Sequence, residues 1–155
     1  MGPLVSQEQL ERVTGFLDSG REDGATTVVG GSRVGDTGYF VQPTVLTDTN
    51  PNMKVEAEEI FGPVVTVTPF KDPEDVMPKA NKTNYGLAAG IWTKDISKAH
   101  RLAKSLRAGT VWINCYNVFD ASLPFGGYKE SGWGREMGHE ALELYTEVKA
   151  VCAQL

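Results

Sequence analysis

The alternation of chain type between Val64 and Asn114 constrains the fold more than any other feature of the sequence. Val64–Phe70 reads as a strand, short and rich in β-branched residues. Asp72 and Pro73 then open a helix, the Asp as its cap and the Pro in the first turn, where a missing N–H costs nothing. Leu87–Trp92 is a second apolar run. Asp95 caps a further helix in which Ile96, Ala99, Ala103 and Leu106 form the apolar stripe, and Gly109 ends it. Lys98, Arg101, Lys104 and Arg107 lie towards its other side, a solvated face. Thr110–Asn114, TVWIN, is the third apolar run. Strand, helix, strand, helix, strand predicts parallel strands joined by right-handed crossovers. Runs apolar almost throughout suit strands covered on both faces. The expected fold class is therefore α/β. Pro78 falls inside the first crossover helix, where its ring clash and lost bond cost about 3 kcal/mol or more, so that helix is expected to start later or to bend.

The flanks add elements of other kinds. Ser6 with Gln9 three residues on has the capping-box pattern, and Leu10, Val13, Phe16 and Leu17 recur at helical spacing before Gly24. Thr26–Val29 and Val41–Leu46 read as short strands between glycine-rich turns. A short helix is expected near His139–Leu144. The last apolar run, Val148–Ala153, reads as a strand with no partner following it, an edge that invites pairing with another chain.

Bulk properties exclude several functions. A length of 155 residues fits one ordinary domain. A net charge of -5 argues against nucleic acid or an anionic membrane as partner, because both need a basic footprint. No apolar run approaches the roughly 18 residues of a spanning helix. The start MGPLVSQEQLERV has neither the charged nor the apolar region of a secretory signal. The two cysteines, Cys115 and Cys152, make no disulfide framework, so a cytoplasmic location is expected.

The stretch PFGGYKESGWGREMGHE, Pro124–Glu140, holds five glycines. A dinucleotide fingerprint needs G-x-G-x-x-G between a strand and a helix; Gly132, Gly134 and Gly138 are spaced one residue too far. Lys129 does not follow Walker spacing either. A sharp re-entrant turn is the favoured reading. Cys115 and Cys152 read as small buried hydrophobes, since neither His100 nor His139 is spaced to serve as a base. The two histidines offer no metal spacing, so no metal site and no catalytic residue is assigned. Glu56, Glu58 and Glu59 precede the stiff turn Ile60-Phe61-Gly62-Pro63. Such carboxylates are either solvated or fixed as acceptors for the hydroxyls of a sugar such as ribose, and the residues alone leave both readings open.

VEAEEIFGPVV (Val55–Val65), NYGLAAGIWTKD (Asn84–Asp95), AGTVWINCYNVFD (Ala108–Asp120), PFGGYKESGWGRE (Pro124–Glu136) and YTEVKAV (Tyr145–Val151) occur in this order. GPLVSQEQLERV near the start and GYFVQPTVL (Gly38–Leu46) accompany them. Together they resemble the NAD(P)-dependent aldehyde dehydrogenase superfamily, over roughly the last third of its enzymes. The resemblance implies that residues 1–144 are the C-terminal part of the catalytic domain, that 145–155 form an oligomerisation strand, and that the cofactor-binding domain is absent. It implies that Glu59 accepts from the nicotinamide-ribose hydroxyls, with Phe61 packed beside that ribose. Phe119 and Phe125 match aromatics of the substrate tunnel, and Asn117 sits where another tunnel residue does. Glu147 matches a glutamate that ties the terminal strand to Arg135 and to a neighbouring subunit, so a homo-oligomer is expected.

In that family a cysteine thiolate attacks the aldehyde, hydride passes to the cofactor, and a glutamate activates the water that hydrolyses the thioester. The nucleophile and the base lie outside the matched stretch, and Cys115 matches a non-catalytic position. The expectation is a chain that is inactive alone and binds no NAD by itself. The NVFDASLPFGG stretch looks more like the oxidisers of acetaldehyde and phenylacetaldehyde than those of betaine aldehyde. The alternative is a stand-alone, non-catalytic assembly module that docks on full-length dehydrogenase subunits.

Overall fold

Helix α1 (Gln7–Glu22) begins where the cap predicts: Ser6 Oγ accepts the Gln9 N–H at 3.1 Å. The reciprocal half of the capping box is not made, because the Gln9 side chain reaches elsewhere. The apolar stripe Leu10, Val13, Phe16 and Leu17 is buried against Leu46, Val55 and Ile60. The computed structural model describes residues 1–155, and the chain divides into two units, Met1–Thr83 and Asn84–Leu155.

In the first unit a three-stranded sheet backs α1. Strand β1 (Thr26–Val29) pairs antiparallel with β2 (Thr44–Thr47), and β2 pairs in parallel with β3 (Val64–Thr66), Thr44 opposite Val64. Both later strands are shorter than the sequence suggests. Val41 makes only an isolated bridge to Arg33, and β3 ends at Thr66, with one further cross-strand bond from the Val67 N–H to the Leu46 carbonyl at 2.9 Å. A single-turn helix, α2 (Lys54–Ala57), buries Val55 beneath α1. Gly62 lies so close to α1 that a Cβ there would come within 2.6 Å of Val13 Cγ2.

Helix α3 (Pro73–Asn81) starts at Asp72, whose carboxylate accepts the Asp75 N–H at 2.9 Å. It keeps Pro78 inside it, so the expected later start is not seen. The helix buries none of its residues and Glu74 is exposed. Water can therefore satisfy the carbonyl that Pro78 leaves without a donor.

In the second unit β5 (Ala88–Ile91) and β6 (Thr110–Ile113) are parallel and joined through α4 (Ile96–Ser105). This is the one crossover of the expected kind. The β3–α3–β5 passage is not a second one, because β3 is hydrogen-bonded to β2 and not to β5. Apolar composition marks β3 as a strand but does not choose its neighbour. Two short strands, β4 (Tyr85–Gly86) and β7 (Tyr128–Lys129), pair antiparallel and were not expected.

Burial in this unit is thin: Ile91, Ala99 and Trp112 are its buried hydrophobic residues, and Leu87, Trp92 and Ile96 are exposed. The strands are thus not covered on both faces by this chain. His139–Tyr145 is a 3-10 helix. Val148–Ala153 forms no strand, and Val148 and Val151 are fully or largely exposed. Nothing in the chain offers that run a ladder partner, and an extended segment without one is not a strand.

Candidate functional site: a braced turn and an aromatic loop

The turn that follows α2 is held from outside itself. Ile60 is buried in the core, Glu59 is half-buried, and Phe61 is 74% exposed with φ +54°. A bulky residue in the left-handed region costs roughly 1–2 kcal/mol and needs support. Helix α1 supplies it. Gln9 Nε2 donates to the carbonyls of Ile60 at 3.1 Å and Phe61 at 3.0 Å. Arg12 Nη2 donates to the Glu59 carbonyl at 3.1 Å, with its guanidinium over the Phe16 ring.

The three carboxylates of this region now separate. Glu56 is structural: it accepts from the hydroxyls of Thr49 and Thr68, tying the ends of β2 and β3 together. Glu58 is exposed. Glu59 offers its backbone oxygen to Arg12, a bond that does not involve its carboxylate.

In the second unit, the loop after β6 is built on two anchors. The Asn114 side chain accepts the Thr93 N–H and donates to the Thr93 carbonyl, both at 2.9 Å, strapping the end of β5 to the end of β6. Trp112, 7% exposed, donates its indole N–H to the Val118 carbonyl at 2.8 Å. Its ring meets Tyr116 at 5.0 Å and Phe119 edge-on at 5.7 Å; Phe119 in turn meets Phe125 edge-on at 5.2 Å. A cavity of about 370 Å³ lies against Trp112, Cys115, Phe119, Leu123, Phe125 and Met137. Asn117 is exposed, in the left-handed region with φ +55°. Asp120 accepts both the hydroxyl and the N–H of Ser122, which holds its carboxyl below the ordinary 3.8.

The glycine stretch is a closed turn. Phe125 and Glu136 exchange two backbone hydrogen bonds of 2.7 Å, which places Phe125. Arg135 Nη1 donates to the carbonyls of Gly127 and Gly134, at 3.0 and 2.5 Å, and its guanidinium lies over the Tyr128 ring at 5.3 Å. Gly109 admits no side chain, since a Cβ would fall on the Gly126 carbonyl. No α-helix follows the loop, so there is no helix N-terminus to cradle a phosphate.

The sequence-predicted residues therefore fall into distinct places. Glu59 and Phe61 share the braced turn, and Phe119 and Phe125 touch. Arg135 is engaged with the glycine turn, while Glu147 is exposed, and the two do not pair within this chain. Cys115 is half-buried and Cys152 exposed, which corrects the expectation that both are buried. His100 and His139 are exposed, and no group of three or more His, Cys, Asp or Glu side chains converges. Sequence reasoning missed Gln9, Arg12, Trp112 and Asn114. Gln9 was visible only as a cap residue, and the fold alone reveals its long-range partners.

The first unit thus presents a braced turn with an exposed ring, and the second a βαβ unit with an aromatic-lined cavity, each on an α/β scaffold. The chain belongs to the aldehyde dehydrogenase family, whose model matches residues 1–151. It is 55% identical over 154 residues to an aldehyde dehydrogenase of Agaricus bisporus, covering 99% of this chain and 31% of the relative. It is 53% identical over 150 residues to the mitochondrial aldehyde dehydrogenase of Equus caballus, covering 97% and 30%. An aldehyde dehydrogenase from Bacillus cereus, solved as its NAD+ complex, superposes with a TM-score of 0.94 at 56% identity, over 97% of this chain and 31% of that one.

The chain thus spans about a third of the length of its relatives. The matches fix the extent of the shared segment and lend no support to its expected C-terminal placement. Nor do they support a cytoplasmic location, since the horse relative is named as mitochondrial. No helix is long and apolar enough to cross a membrane.

Proposed function

We propose that this chain is a binding segment of an enzyme that oxidises an aldehyde to a carboxylic acid with NAD(P). Its Glu59–Phe61 turn receives the nicotinamide ribose. The aromatic loop, Phe119 and Phe125 with Asn117 at its bend, lines the path of the aldehyde. The observation that supports this best is the turn itself. A half-buried glutamate and an exposed ring stand on a backbone that α1 holds in a costly conformation.

The fit to the cofactor is chemical. An ionised carboxylate is acceptor-only, and the two neighbouring hydroxyls of a ribose are donors that it can take together. Phe61 offers an apolar surface beside them. A bound nicotinamide supplies the hydride acceptor; the residues of this chain bind and orient. The aromatic cavity suits an uncharged aliphatic or aromatic aldehyde, and its volume of about 370 Å³ lies in the range of small-ligand sites. We assign no nucleophile or general base to this chain, and the chain alone is inactive in this reading. The exposed run Val148–Ala153, with Glu147 and Arg135 near it in sequence, serves strand addition to another subunit.

The test is a graft in which these residues replace the matching 31% of the Bacillus cereus enzyme. Glu59→Gln in the graft removes a charge-assisted bond, so KM for NAD rises about tenfold while KM for the aldehyde stays within about twofold. Unchanged KM for NAD would defeat the assignment.

A further inference from the structure

We propose that Gln9 is a positioning residue for the cofactor turn, with Arg12 as its second brace. The inference rests on the ribose reading of Glu59 and goes beyond it, by naming what holds that group in place. One amide group donates to two successive carbonyls, Ile60 at 3.1 Å and Phe61 at 3.0 Å, from a helix some fifty residues earlier in the chain. The next helical turn adds the Arg12 bond to the Glu59 carbonyl at 3.1 Å. Three consecutive carbonyls, 59 to 61, are thus drawn to one face of α1.

That alignment is what a left-handed Phe61 needs. Its φ of +54° is disfavoured for a side chain of this size, and 74% of Phe61 is exposed, so packing does not enforce the conformation. The hydrogen bonds do. Gly62 completes the device: only a residue without Cβ lets the turn lie against Val13 of the same helix. Helix α1 is itself fixed by its buried stripe, so the orientation of Glu59 and Phe61 is set by the core of the first unit. The brace works through backbone atoms; it leaves the Glu59 carboxylate available to a ligand.

Gln9→Glu is the direct test, because it keeps the shape and turns a double donor into an acceptor facing two acceptors. In the 155-residue chain, NMR backbone shifts should show Phe61 leaving the left-handed region, with the methyl shifts of Val13, Leu17 and Leu46 unmoved. In the graft, KM for NAD should rise about five- to tenfold, with kcat and KM for the aldehyde within about twofold. Gln9→Met, which removes both donors without adding charge, should move KM for NAD in the same direction and decides the matter if the glutamate variant fails to fold. A left-handed Phe61 in either variant, or an unmoved KM for NAD where Glu59→Gln raises it, overturns the role of Gln9 and leaves the ribose reading standing. If Glu59→Gln also leaves KM unmoved, the ribose reading fails and the proposal with it.

Discussion

Leu46→Ala should loosen the first unit more than any other single truncation in its sheet. Leu46 is fully buried at the centre of β2, between β1 and β3, and packs in the cluster with Leu10, Val13 and Leu17 of α1. Removing a leucine side chain from such a site costs about 3–5 kcal/mol, the lost transfer energy plus the cavity that remains. A unit of 83 residues has a stability of roughly 4–12 kcal/mol, so the loss is a large fraction of the total. With a urea slope of about 1.5 kcal/mol/M the midpoint should fall by about 2–3 M. The assay must report on this unit. All three tryptophans lie in the second unit, so urea titration is followed by the backbone NMR peaks of residues 10–17. Val65→Ala is the control: Val65 sits on β3 with more than half its surface exposed, and its truncation should cost about 0.5 kcal/mol or less. Equal midpoint shifts for the two variants would refute the argument that the α1–β2 contact holds this unit together.

Other outcomes follow from the second unit. Gly109→Ala drives a methyl onto the Gly126 carbonyl; it should lower the stability reported by tryptophan fluorescence by about 1–3 kcal/mol, and an unchanged midpoint would deny the close approach. Trp112→Phe keeps a ring but deletes the bond to Val118, so in the graft KM for the aldehyde should rise about fivefold with KM for NAD unmoved. Asp95 caps α4 by accepting the Lys98 N–H, which holds its carboxyl below 3.8. The folded-state value is lowered, so its contribution to stability is present above 3.8 and is lost as pH falls through the lower value. Asp95→Asn should therefore flatten the acid limb of a pH–stability curve measured by circular dichroism; an identical limb in both chains would remove Asp95 from that account.

The sequence made the helices legible and left the sheets only partly so. Ser6, Asp72 and Asp95 all cap the helices they announce, because an N-cap is a local bond between neighbouring residues. Strand neighbours are chosen over long separations, and the apolar run of β3 does not distinguish β2 from β5 as a partner. Leu87–Trp92 reads as a covered strand, yet Leu87 and Trp92 are exposed, since this chain brings too little apolar surface to cover them. At the site, Glu59, Phe119 and Phe125 are singled out only through the family resemblance; composition alone leaves Glu56, Glu58 and Glu59 undivided. The brace from Gln9 is not readable, because a glutamine three residues past a serine has a sufficient local explanation in the capping box. The left-handed backbone of Phe61 is hidden for a similar reason: no residue type announces it.

The most direct test compares the chain alone with the same residues grafted into the Bacillus cereus enzyme, each assayed for aldehyde-dependent reduction of NAD. No turnover by the chain alone and turnover by the graft is the predicted pair of results. Turnover by the isolated chain, or a folded graft that binds NAD equally well with and without the Glu59→Gln substitution, would contradict the view that this polypeptide supplies binding walls to chemistry performed by other residues.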